Sequence, residues 1–318
     1  MHKLILRYAG SACITLLLAS MVIFILIRLA PGDPIESALG LGAGELGNDS
    51  KMLEEKKEML RKQHGLYDTI PVQYIRWLGK LCTFDLGISI RTGIPITHEL
   101  RRRIPATLLL SVAALCIQTI IGVSLGMYSA VKAGAVPDAV IRLFCVIFAS
   151  LPVFVLSLLL LLVFSVRLHA YAISSYTALS RLWLPAITLG AAGSPQIIRM
   201  VRASMLSEFG QLYISAVQSR GLPVRMILFE ALHNALLPAV TTIALSFAHL
   251  IGGAVVVESI FNWPGLGNYA MQSILIHDYP AIQGYTVLTV AAVIFINLLV
   301  EFAYMFADPR VRKDIQQP

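Results

Sequence analysis

Residue types that could support nucleotide, metal or acid–base chemistry occur in this chain, but their spacing does not assemble a site. Gly42-Ala43-Gly44-Glu45-Leu46-Gly47 matches the GxGxxG dinucleotide fingerprint. That pattern cradles a pyrophosphate only when a strand precedes it, a helix follows, and an acidic residue stands about 20 positions on. Residues 42–47 have none of this context and are expected to form a flexible loop. No GxxxxGK[ST] phosphate loop occurs, so the chain is expected not to bind or hydrolyse ATP and to carry no cofactor. The seven histidines are scattered, without His-x-x-x-His or Cys/His clusters, and no metal site is expected. Cys13, Cys82, Cys116 and Cys145 lack metal-type spacing and are expected to act as small apolar packing residues.

Composition explains why such sites are missing. Of 318 residues 57% are hydrophobic and only 14% charged, against about 25% charged in soluble domains. Uncharged runs long enough to cross a bilayer, roughly 20 residues each, lie at 8–27, 104–131, 143–166, 182–198, 235–257 and 279–300. They lack strand-like alternation, so the expected fold is all-α: a polytopic membrane protein with six transmembrane helices. The net charge of +7 is then explained by cationic loops facing anionic lipid headgroups, not by nucleic acid. Lys3 and Arg7 precede the first run as in a signal peptide. The run is longer than an h-region and no small-x-small site follows, so it is expected to remain as the first span.

Asp and Glu are absent from the interiors of all six runs. This weighs against an ion-coupled secondary transporter, which typically uses embedded acids, and against an intramembrane protease using paired aspartates. His249 within the fifth run either lines a path or bonds a neighbouring helix. Gln118 in the second lines an interface or the path. Gly122-x-x-x-Gly126 near it permits close helix approach.

Positive charge sets the orientation. The stretch between the fourth and fifth runs holds Arg199, Arg202, Arg220 and Arg225, whereas residues 258–278 hold no Lys or Arg. Both termini and residues 199–234 are therefore expected to be cytoplasmic. The organisation expected is a first helix over 1–30, an extracytoplasmic loop subdomain over 31–103, a five-helix core over 104–306 and a cytoplasmic tail over 307–318. Within the loop, residues 50–63 are rich in helix formers and the remainder is turn-rich and aromatic.

The segment 205–234 is too polar to span and too patterned to be loose. Phe209, Leu212, Tyr213, Ala216 and Val217 follow the i, i+3, i+4, i+7, i+8 spacing of one buried helical stripe. Gly221 follows as a C-terminal cap would, and Pro223 opens a return helix. By spacing alone this could be an interfacial helix on lipid.

Residue identity adds to this. Ser215-Ala216-Val217, then Gly221, then Asn234-Ala235-Leu236-Leu237-Pro238 resembles the EAA loop of ABC-importer permeases, closest to the dipeptide/oligopeptide/nickel family. Ser215 and Val217 replace the Glu and second Ala of the named motif. Further matches run along the chain: Arg28 to Pro34, Phe84-Asp85-Leu86-Gly87-Ile88-Ser89, Pro105-Ala106-Thr107-Leu108, Arg199-x-x-Arg202-x-Ser204-Met205, Glu258 to Gly267, His277-Asp278-Tyr279-Pro280 and Asp308-Pro309-Arg310. The resemblance implies a permease subunit of the first-permease type, with the type I ABC importer fold, in a bacterial inner membrane. It implies a second homologous permease, two ATPase subunits that hold ATP and Mg²⁺, and an extracytoplasmic binding protein as partners. Phe209, Leu212, Tyr213, Ser215, Ala216, Val217, Gly221, Asn234 and Pro238 would couple it to the ATPase. Nickel or a metal chelate is the expected substrate, with small peptides as the alternative.

Single-cysteine labelling tests the orientation. Leu60 and Asn268 should be reached from outside the cell, and Ala135, Arg220 and Ile315 only from inside. Labelling at Arg220 from outside would reverse the assignment.

Overall fold

The computed structural model describes residues 2–29, 55, 57–59, 62, 67–173, 177, 179–220 and 223–307. Side chains at 2–9, 215–218, 224, 237–238 and 301–307 are outside the description. The GxGxxG stretch, Gly221 and most of residues 31–66 also lie outside the described residues. Among those described, the chain is helical, with one isolated bridge between Ile88 and Pro95. The helices are α1 (His2–Leu29), α2 (Ile70–Cys82), α3 (Ile96–Val131), α4 (Val136–Ser150), α5 (Val153–Leu161), α6 (Leu179–Phe209), α7 (Leu212–Ser219), α8 (Val224–Gly253), α9 (Val255–Ile260), α10 (Leu266–Leu275) and α11 (Tyr279–Ala307). A π-helical turn, Leu162–Arg167, extends α5. α2 occupies residues expected to be turn-rich; Pro71 in its first turn fits a helix start, where no N–H is needed.

By length and composition, Gly10–Leu29, Ile96–Val131 and Tyr279–Val300 can each cross a membrane, and two bent helix pairs bring the number to five. The third apolar run is not one straight helix: α4 and the helix Val153–Arg167 meet at 100°. Pro152 explains the break. The residue before a proline is pushed out of the helical region, and Leu151 is extended at φ −80°, ψ 121°. The fourth run lies on α6, whose 31 residues suffice to span but are not apolar enough to pass on composition alone. Protein, not lipid, surrounds much of α6: Leu184, Ala186, Ile197, Val201 and Met205 are fully buried. A helix so enclosed can carry the buried Thr188 and Ser194 where a lipid-facing one could not.

The chain divides into two compact units, residues 1–105 with 265–294 and residues 106–264 with 295–318. In the first, Phe24 of α1 packs on Tyr74 and Trp77 of α2, at centroid distances of 5.3 and 5.9 Å. Ile96, Leu100, Leu266, Tyr269 and Ala281 form its core. The Asp278 carboxylate, 4% exposed, accepts from Ser89 Oγ at 2.5 Å and from the Ile90 N–H at 3.3 Å. Burial, then Asp278 and Glu99, push the Tyr269 phenol up to about 12.

In the second unit, Thr107 Oγ1 donates to Glu258 Oε1 at 2.7 Å, and Trp263 Nε1 donates to the Ala106 carbonyl at 2.9 Å. Trp263 is completely buried, so the turn before α10 is anchored by its indole. Asn262 before it has φ +49°, a left-handed conformation that Asn tolerates better than most residues.

The α3–α4 turn is closed by Asp138, in the first turn of α4 and ahead of the apolar run. It accepts from Ser129 Oγ at 2.5 Å and the Gly134 N–H at 3.2 Å. It also accepts from Arg202 Nε at 2.8 Å and a second Arg202 nitrogen at 2.9 Å, with Arg142 at 3.5 Å. Gly134 has φ +81°, which a side chain would strain.

α3 meets α6 through glycine. A Cβ on Gly126 would lie 2.8 Å from Val201 Cβ and 2.9 Å from the Ile198 carbonyl oxygen. Gly126→Leu should therefore force the helices apart and destabilise the chain by about 1–3 kcal/mol, the usual range for overpacking. Thermal unfolding in detergent measures this; an unchanged midpoint would contradict the close approach.

Candidate coupling site

Glycine and glutamine interrupt the segment 205–234 before its pattern is complete. α6 ends at Phe209, and the Gly210 and Gln211 N–H groups donate to the Ser207 and Glu208 carbonyls at 3.2 and 3.0 Å. These short-range bonds tighten the last turn. α7 begins afresh at Leu212, so Phe209 and the residues after it do not share one helix, and the expected single stripe is corrected. The spacing was counted across the Gly210 break, where helical phase is lost. The buried position of α7 is Ile214, 1% exposed, whereas Leu212 is 87% exposed. Ile214 joins Val201 and Met205 of α6, Ala130 of α3, and Ile227, Ala231 and Ala235 of α8 in one core cluster, with Phe209 packed at its edge.

Hydrogen bonds fix α7 on both sides. Tyr213 Oη donates to Glu208 Oε2 at 2.5 Å and accepts from Asn234 Nδ2 at 2.9 Å. The end of α6, the start of α7 and the third turn of α8 thus meet at one phenol. Loss of solvent, then the Glu208 carboxylate, push that phenol above its ordinary value, so it remains a donor at neutral pH. Four residues after Asn234, Pro238 lies within α8 and has no N–H to offer the Asn234 carbonyl. Ser215, Ala216 and Val217 lie on α7 with side chains outside the description, as is that of Pro238; Gly221 lies outside the described residues altogether.

The two candidate path residues are not brought together. Gln118 is 1% exposed between α3 and α6, with its Oε1 at Gly193 and no hydrogen-bond partner for its Nε2 among the described residues. His249 is exposed on α8, and among the described residues no hydrogen bond joins it to a neighbouring helix. Missed from sequence was Ile214, whose apolar character was visible but not its phase. Also missed were Glu208 and Asp138, whose partners lie 5 and 64 residues away.

The phenol linkage is testable. Tyr213→Phe removes both hydrogen bonds and keeps the ring, a net loss of about 1 kcal/mol per bond. Amides of α7 should exchange with deuterium several-fold faster while those of α6 keep their rates. Unaltered exchange in α7 would show that the phenol does not hold it.

Comparison with known proteins identifies the family. Residues 122–313 match the family described as "Binding-protein-dependent transport system inner membrane component", and residues 1–111 match its N-terminal family. The chain is 34% identical over 317 residues to a Sinorhizobium fredii protein named "Probable peptide ABC transporter permease protein", covering 97% of this chain and 98% of that one. It is 34% identical over 299 residues to the glutathione transport system permease protein of Pectobacterium atrosepticum, covering 94% and 95%. It is 31% identical over 344 aligned positions to the dipeptide transport system permease protein of Escherichia coli, covering 98% and 99%. The chain is therefore an all-α, multi-pass membrane permease of the type I importer fold, and it belongs to the dipeptide-type family of inner-membrane components of binding-protein-dependent ABC importers.

Proposed function

We propose that this permease imports small peptides, working beside a second, homologous permease, two ATPase subunits and an extracytoplasmic binding protein. The carrying observation is the naming of the full-length relatives for peptides, dipeptides and glutathione, itself a tripeptide. On that ground the nickel or metal-chelate expectation gives way to the peptide alternative.

In this reading α7 is the ATPase contact. Leu212 is 87% exposed at its start, and Met226 and Phe229, three residues apart on α8, are 51% and 68% exposed. Such apolar exposure beside a polar segment fits a protein partner. Both termini and this segment face the cytoplasm, where ATP and Mg²⁺ are held by the partner subunits. Closure of the ATPases then pushes α7 and switches the helix bundle between two packings, giving alternating access.

Two measurements test this. Deletion of the gene should abolish growth on dipeptides or tripeptides as an amino-acid source and leave nickel accumulation unchanged; lost nickel uptake with normal peptide use would restore the metal reading. The purified chain alone should not hydrolyse ATP, with activity emerging on addition of the ATPase subunits. Turnover by the pure single chain would refute the division of labour.

A further inference from the structure

The strongest interaction at the end of α6 is with the turn between α3 and α4, not with α7. Asp138 is 1% exposed and receives both Arg202 nitrogens, the Ser129 hydroxyl and the Gly134 N–H, with Arg142 alongside. Ser129 directly precedes Ala130, which belongs to the same core cluster as Ile214 of α7 and Val201 and Met205 of α6. Arg202 stands between Val201 and Met205 on that helix. A contiguous path therefore runs from α7 through Ile214 to the end of α6, and from there through Arg202 and Asp138 to α3 and α4.

The two halves of that path differ in kind. Apolar packing of the kind that gathers Ile214 and Met205 into one cluster resists separation but permits sliding. A two-pronged arginine–carboxylate pair fixes direction as well as distance, and buried ion pairs are best attested as devices that set register. Gly134, at φ +81°, lets the turn present its N–H to the same carboxylate, so the turn cannot shift without breaking a charged bond.

We infer that Asp138 and Arg202 are positioning residues of the transport cycle, locking the α3–α4 turn to the end of α6 so that a displacement of α7 moves α3, α4 and α6 as one body. This rests on the coupling reading of α7 above. A charge pair that transmits motion can be cut without harming ATP hydrolysis in the partner subunits, whereas a pair that only supports folding cannot. The sequence motif Arg199-x-x-Arg202 would then serve transmission within this chain through its second arginine.

The test uses the whole importer reconstituted in vesicles, with radiolabelled dialanine as probe and both uptake and ATP hydrolysis measured per assembled complex. Asp138→Asn should lower uptake about tenfold, in the range of coupling energies between sites, with hydrolysis largely retained. Arg202→Lys keeps the charge but loses the fork, and should give an intermediate ratio of uptake to hydrolysis. Uptake and hydrolysis falling in parallel, or both staying at wild-type levels, would overturn the inference. So would failure of both variants to assemble, which would make the pair a folding clamp. Leu212→Asp separates this from the underlying reading: full ATPase retention and full uptake in that variant would remove α7 as the contact, whatever ratio Asp138→Asn shows.

Discussion

A carboxyl group taken out of water must be hydrogen-bonded on the spot. Among the described residues three acidic groups are so placed: Asp138, Glu258 and Asp278, exposed by 1%, 0% and 4%. Each accepts a hydroxyl hydrogen bond, from Ser129, Thr107 and Ser89 at 2.5, 2.7 and 2.5 Å. Two of these bonds join stretches 151 and 189 residues apart. Because a displaced carboxylate would be left unpaired, these contacts set the register between their segments more strictly than apolar packing does.

Motifs that are far apart in the chain gain a common explanation from this. Phe84 to Ser89 and His277 to Pro280 meet at the Ser89–Asp278 bond. Pro105 to Leu108 and Glu258 to Gly267 meet at Thr107–Glu258 and at the Trp263 indole, which donates to the Ala106 carbonyl. Arg199-x-x-Arg202 meets the α3–α4 turn at Asp138. Arg202, which charge alone would leave facing headgroups at the membrane surface, is instead a partner of a buried acid.

The end of the second unit that carries α7 uses a different mixture of forces. α7 has only eight residues, too few to be stable as an isolated helix. It holds its place through Ile214 in the core and Tyr213 between Glu208 and Asn234. Leu212, at its start, is exposed.

Much of this protein was legible in its sequence because membrane burial writes itself into composition. Long uncharged runs dictated helices, and the arginine-rich segment between the fourth and fifth runs stood out as neither span nor loose loop. The ordered motifs marked the permease family. Local breaks were harder to place. Pro152 turned one apolar run into two helices at 100°, and Gly210 reset the phase of the helix that follows it so that Ile214, not Leu212, went inside. Only the tertiary structure decided which acid met which hydroxyl and that Arg202 faces Asp138. It also showed that α6 is enclosed by protein on much of its surface. Periodicity and charge report on the medium a segment meets, and they are local properties. Pairing across 64 to 189 residues depends on how helices cross, and the sequence of either partner alone does not contain that information.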